Sequence, residues 1–285
     1  MNILINPFLT FVVFRTNLDH SAKCQRFLCE KQRQTTDENY FIQLHGIFST
    51  EQKIYVITDE YDTLTMLNIV QQQQQQQRHP RSSQQRSSTT AAAAAAMNYD
   101  DNDLRKWLRQ ICEALNFMHT MAIAHLNLRL DNVIFDQHRN IRLIGLSRSF
   151  CYFNLDQEKF VKAKRVAPTV VYDHLPPECF DDDDFEPCRA DVWSFGLLIY
   201  EAVTRTNPRK QHQQQQDNKT SRASRTSMKR CHIDRREIKY PTFEFDKIKD
   251  QRLRESVRSM LYNQNALARP NFQQILSNEY FQQQK

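Results

Sequence analysis

Apolar residues recur at three- and four-residue spacing through Leu104, Trp107, Leu108, Ile111, Cys112, Leu115 and Met118. That period predicts a helix buried along one face, with Asp103 as its N-cap. Elsewhere the pattern changes. Phe41 to Phe48 (FIQLHGIF) and Lys53 to Thr58 (KIYVIT) are rich in β-branched and aromatic residues and flank a short polar turn, which predicts two adjacent strands. Val133 to Phe135 and Ile141 to Ile144 bracket a turn of Asp, Gln, His, Arg and Asn, the pattern of a small hairpin. Val192 to Val203 is apolar on nearly all sides, as a central buried helix is. Ile3 to Phe14 is apolar too, but it lacks a basic leader and a cleavage site and is interrupted by Pro7. It reads as buried strand rather than as a signal peptide.

Two tracts break the pattern. Residues 71–96 join a glutamine run to a Ser/Arg-rich stretch and six alanines, and residues 205–236 are polar and rich in Gln, Ser and Arg. Neither has a hydrophobic period, so both are expected to be disordered inserts. What remains divides into a small unit with its hinge at 1–70, the first part of a larger unit at 97–204 and its end at 237–281. The net charge is +6, yet the tracts carry +3 and +8, leaving −5 for the rest. The basic balance therefore lies in low-complexity sequence, and no nucleic-acid-binding fold is expected.

Composition narrows the chemistry. Only Gly46, Gly145 and Gly196 are present in 285 residues, where average usage would give about twenty. No glycine-rich phosphate loop of any known pattern can be written with them. The seven Cys are scattered without a CxxC pair, which argues against a disulfide framework and a zinc site. No run approaches the ~20 apolar residues of a membrane span. A reduced, cytoplasmic protein is expected, with the nucleus as second compartment.

From His125 the chain reads HLNLRLDNVIF, and nine residues after Asn132 it continues IRLIGLSRS. This resembles the catalytic loop and metal-binding segment of a protein kinase, H-R-D-L-x-x-x-N and D-F-G. Further motifs follow in order: LPPE at Leu175 to Glu178 resembles A-P-E, DVWSFG at Asp191 to Gly196 resembles the buried helix of the large lobe, and LYNQNALARP at Leu261 to Pro270 resembles its closing segment. Upstream, FIQLHGIF and IYVITDEY resemble the strands that lead to the hinge, with Thr58 or Asp59 at the gatekeeper. The resemblance spans roughly 24–281 and implies an α+β, bilobal protein kinase-like fold: a truncated β-rich N-lobe and an α-rich C-lobe. The stretch before Cys24 is two strands short of the family's N-lobe.

The resemblance also locates departures. Asn127 stands where the family places the Asp that accepts the substrate's proton, and an amide has no basic lone pair. The preceding Arg is Leu126. Gly145, Leu146 and Ser147 stand at D-F-G, so the main magnesium ligand has no side chain there, and Asn132 is left as residual ligand or as a turn residue bonding backbone. The Lys that grips phosphate falls near Arg15, and its Glu partner is Glu30 or, in strict register, Cys29. Arg129 takes the place of a Lys that contacts the transferred phosphate, and Val171 that of a Thr beside the substrate. His125 is expected to be structural.

Positions that hold the large lobe together are kept. In the family, the A-P-E glutamate pairs with an arginine, here Glu178 with Arg269, and a buried aspartate, here Asp191, anchors the catalytic loop. The resemblance thus implies a pseudokinase with no cofactor, serving as a binding or scaffold module for protein partners, such as kinases or their substrates. The alternative is an atypical serine/threonine kinase of weak activity that uses ATP and magnesium, with Glu30, Asp131 or Asp136 supplying a carboxylate. A third reading is a product with no folded role. No membrane partner is expected.

Overall fold

A computed structural model describes residues 9–15, 26–32, 34, 40–49, 53–59, 64–78, 99–154, 156–164, 174–180, 184–206, 242–261 and 265–282. Much of the two inserts, and Val171, lie outside the described residues. The fold is α+β and bilobal.

In the small lobe, β1 (Leu9–Arg15) and β2 (Leu44–Ser49) both pair antiparallel with β3 (Lys53–Asp59), giving the order β1-β3-β2. β2 and β3 are the two strands read from FIQLHGIF and KIYVIT, although β2 starts only at Leu44, with a register shift between Leu44 and Gly46. The residues before it do a different job. Phe41 bridges to Leu143, and the Leu143 N–H donates to the Tyr40 carbonyl at 2.7 Å, so this stretch ties the small lobe to the large one. Residues 26–32 are helical and bury Leu28, Cys29 and Gln32.

Next comes α1 (Met66–Arg78), so Gln71 to Gln77 is helical rather than part of a structureless insert. The physical reason is nucleation: Leu67, Ile69 and Val70 start the helix on buried contacts, and glutamine, a good helix former, propagates it. α2 (Asp101–Thr120) buries the apolar stripe read from the sequence. Its N-cap is Asp100 rather than Asp103. Asp100 accepts the Asn102 and Asp103 N–H groups, and Asp103 returns the bond from the third helical position, a capping box in which both carboxylates also face the positive end of the helix.

β4 (Ile123–Ala124) pairs with β7 (Phe150–Cys151), and the hairpin read from the sequence is β5 (Val133–Phe135) with β6 (Ile141–Leu143). β8 (Phe153–Asn154) pairs with β9 (Lys159–Phe160). The central helix is α3 (Pro187–Thr204), with Asp191 through Tyr200 buried throughout. α4 (Gln251–Leu261) and α5 (Phe272–Leu276) pack on α3 and α2. A single hydrophobic core joins Leu28 and Phe41 of the small lobe to Trp107, Trp193, Val257 and Phe272 of the large one.

At Gly196, α3 passes close against α4. A Cβ added there would lie 2.9 Å from the Met260 Cβ and 3.0 Å from the Leu261 Cγ, atoms near the helix backbone that cannot swing aside. Gly196→Ala should therefore destabilise the fold by roughly 1–3 kcal/mol through overpacking, despite alanine's better helix propensity. Urea unfolding followed by circular dichroism reads this, and a more stable variant would contradict the close crossing.

Candidate functional site

Asp191 is fully buried in α3. Its Oδ2 accepts the His125 N–H at 2.7 Å and its Oδ1 the Leu126 N–H at 2.8 Å, and His119 Nε2 lies 3.0 Å from Oδ2. An ionised carboxylate only accepts, so the His119 Nε2–H donates. These bonds set the backbone of the loop that carries Asn127. Leu126 is held at φ +54, a left-handed conformation that costs a side chain about 1–2 kcal/mol, and the Asp191 clamp supplies what keeps it there.

His125 sits inside that loop with both ring nitrogens engaged. Its Nε2–H donates to the Ile144 carbonyl at 3.2 Å, and its Nδ1 accepts the Asn127 N–H at 3.2 Å, so the ring is a neutral Nε2–H imidazole. Burial pushes its pKa down, against the opposing pulls of Asp191 and the Ile144 carbonyl.

Asn127, Asn132 and Gly145 close on one another. The Asn127 Nδ2 donates to the Gly145 carbonyl at 3.1 Å, the Asn132 Nδ2 to the Asn127 carbonyl at 2.6 Å, and the Ile144 N–H to the Asn132 carbonyl at 3.0 Å. Gly145 is at φ +79, and a Cβ there would stand 2.6 Å from the Cγ and Nδ2 of Asn132 and 2.7 Å from its Oδ1. The Asn132 side chain thus fills the space that a side chain at 145 would need. Leu146 follows, buried in the same core as Leu28, Cys29 and Phe41.

The remaining carboxylates around the loop are held elsewhere. Asp131 accepts from Arg129 Nε at 2.8 Å, and Asp136 from Arg142 Nη2 at 2.8 Å as well as from the His138 and Asn140 N–H groups. Glu30 is more than half exposed and bonded to Arg26 one helical turn earlier at 2.9 Å, so it faces solvent. Its neighbour Cys29 points inward and donates to the Ile42 carbonyl. Arg15 ends β1 opposite Lys53, and its side chain lies outside the described part of the structure. Thr58 is buried, its hydroxyl donating to the Asp59 carbonyl at 3.2 Å. Among the described residues no group of three or more His, Cys, Asp or Glu side chains is placed to hold a metal ion. A cavity of about 30 Å³ beneath the loop, between α1 and α3, is lined by Arg129, Asp131, His174 and Glu201.

Below the loop, Arg269 is fully buried, with Nη1 on Glu178 Oε1 and its guanidinium 5.0 Å above the Trp193 ring. Arg189 crosses it: Arg189 Nη1 donates to the Arg269 carbonyl at 2.6 Å, and Arg269 Nη1 to the Arg189 carbonyl at 3.1 Å. Sequence reasoning missed Arg189, and it missed His119 at the anchor. The one signal for His119 was a histidine in the last turn of a helix that ends just before the loop.

A family model described as protein kinase domain matches residues 15–281. Among curated relatives, the chain is 27% identical over 107 residues to the probable serine/threonine-protein kinase RTK1 of Saccharomyces cerevisiae, covering 38% of this chain and 17% of that one. It is 27% identical over 174 residues to human ribosomal protein S6 kinase alpha-3, covering 59% and 19%. It is 28% identical over 109 residues to hormonally up-regulated neu tumor-associated kinase homolog B of Xenopus laevis, covering 38% and 17%. The matched stretch is under a fifth of the length of each relative. No helix among the described residues is long and apolar enough to cross a membrane.

Two outcomes follow from the anchor. Asp191→Asn keeps the shape but loses the charge and one acceptor, leaving buried donors unpaired, and should lower stability by about 3–5 kcal/mol in urea unfolding. A loss below about 1 kcal/mol would remove Asp191 as the anchor. The second concerns His125. Protonating its Nδ1 would set a second donor against the Asn127 N–H, so the folded state binds that proton less readily than the unfolded chain. The stabilisation from the neutral ring is therefore full above the ordinary value of 6.5 and is lost progressively as pH falls below it. Urea midpoints between about pH 5 and 7 should fall with acidity, and His125→Phe should flatten part of that slope; an unchanged slope would assign it to other groups.

Proposed function

The chain belongs to the protein kinase family, and on that premise we propose that it is a member without phosphoryl transfer, a pseudokinase that works as a protein-binding module in signalling. The observation that carries the reading is the closure of Asn127, Asn132 and Gly145. Kinase chemistry needs an acidic group to take the hydroxyl proton and an Asp with an Asn to hold magnesium against the phosphates. Asn127 offers an amide whose N–H₂ is already donated to Gly145. Losing the general base costs typically ~10²–10⁴ in rate.

The residues present do not fit magnesium. The ion wants hard oxygens in near-octahedral array, usually with one or two carboxylates. Gly145 brings no side chain, its carbonyl is taken by Asn127, and Asn132 brings one neutral amide oxygen. Asp131, Asp136 and Glu30 are each bonded to an arginine. No ATP or magnesium is therefore required for the proposed role. Asp191, Glu178 and Arg269, kept from the family pattern, hold the large lobe in shape, which is what a binding surface needs. Its partners are proteins, with kinases and their substrates as first candidates.

Thermal shift of the purified chain with ATP, with and without magnesium or manganese, tests this. No metal-dependent stabilisation and no phosphate incorporation into a generic acceptor protein are expected. Stabilisation of several degrees by magnesium and ATP, with incorporation lost in Asn132→Ala, would overturn the reading in favour of a weak serine/threonine kinase. Writing the missing carboxylates back should not help: in Asn127→Asp with Gly145→Asp, the Cβ at 145 meets Asn132 in a left-handed backbone. Activity should stay absent, and stability should fall by roughly 1–3 kcal/mol. A double variant as stable as the parent and able to transfer phosphate would show that the closure is not the block.

A further inference from the structure

The glutamine run would pass for repeat sequence without a role, yet two of its members bridge distant parts of the chain. Gln73 Nε2 donates to the Tyr99 carbonyl at 3.1 Å, Gln73 Oε1 accepts from Arg205 Nη2 at 2.9 Å, and Gln74 Nε2 donates to the Arg205 carbonyl at 2.9 Å. Tyr99 is the first described residue after the first low-complexity tract, and Arg205 stands at the start of the second. We propose that Gln73 and Gln74 are a clamp that fastens α1 to Tyr99 and Arg205, described residues that border the two low-complexity tracts.

Each partner is itself held in place. Arg205 is the C-cap of α3 at φ +58, with its N–H on the Glu201 carbonyl at 2.8 Å. The Tyr99 ring packs on Trp107 at 5.2 Å, and the Trp107 indole N–H donates to the Arg139 carbonyl at 2.9 Å. At its other end α1 packs against the turn Leu130–Asn132, which carries Asn132. The clamp is thus a positioning device that sets α1 between the loop and the residues Tyr99 and Arg205.

The chemistry explains why the residue is glutamine. Position 73 must donate and accept at once, which an amide does and neither Glu nor Lys can. Alanine would keep the helix but make no bond. The repetition makes the device indifferent to repeat length. Glutamines gained or lost beyond position 74 leave residues 73 and 74 unchanged in identity and in helical phase counted from Met66. Of the run, Gln73 and Gln74 make the clamp's bonds, and Gln71 and Gln72 set their helical phase. This holds whether or not the chain transfers phosphate.

The test uses the full chain. Gln73→Ala with Gln74→Ala should lower the melting midpoint by about 3 °C and speed tryptic cleavage after Arg205, read by mass spectrometry, by at least about threefold. Gln74→Ala alone, which removes one bond, should fall between. Gln75→Ala with Gln76→Ala, and a chain lacking residues 75–77, should match the parent in both measurements. A 73/74 variant indistinguishable from the 75/76 control would overturn the clamp. A 75–77 deletion that behaves like the 73/74 variant would overturn its indifference to repeat length.

Discussion

A single buried carboxylate organises the centre of this molecule. Asp191, inside a helix with no exposed face, would be costly to bury alone, and it is tolerated because donors converge on it from His125, Leu126 and His119. The dependence runs both ways. Without the carboxylate, Leu126 would have no reason to hold a left-handed backbone, and the loop would lose the path that sets Asn127 and Asn132 over Gly145. The site is therefore built from the core outward: α3 positions Asp191, Asp191 positions the loop, and the loop sets the amides of Asn127 and Asn132 against Gly145.

The second buried charge works in the same way. Arg269 is enclosed by Glu178, the Trp193 ring and the backbone of Arg189, so its charge is compensated by an ion pair, a π face and carbonyl dipoles. Both charged centres belong to the scaffold and neither faces a substrate. Packing and charge compensation alone are enough to account for both. In the pocket shared by Asn132 and residue 145, the amide occupies space that only a glycine leaves open.

Local patterning was legible where one physical cue dominated. The stripe from Leu104 to Met118, the all-round apolar Val192 to Val203 and the β5–β6 hairpin follow from hydrophobic period and turn chemistry alone. Caps and low-complexity sequence were read less well. Asp100 and Asp103 are equally good caps by residue type, and only the observed start of α2 assigns them to N-cap and third position. The glutamines looked structureless because they have no hydrophobic period, yet α1 continues into them because contacts upstream had already nucleated the helix. Glu30 is a similar case: the resemblance left Glu30 and Cys29 as alternatives for the place of the lysine's Glu partner, and the helix phase that buries Leu28 and Cys29 turns Glu30 to solvent.

The order of motifs from His125 to Pro270 was sufficient, without coordinates, to point to the kinase family, and residue type alone puts an amide at 127 and no side chain at 145. It could also name Asp191, Glu178 and Arg269 as scaffold. What only the tertiary structure decided was which of these side chains meet: that Asn132 lies against Gly145, that Asp131 and Asp136 are taken by arginines, and that Gln73 reaches Arg205 across 132 residues of chain. Those facts depend on which atoms meet in space, and contacts between segments far apart in sequence leave no trace in local period or composition.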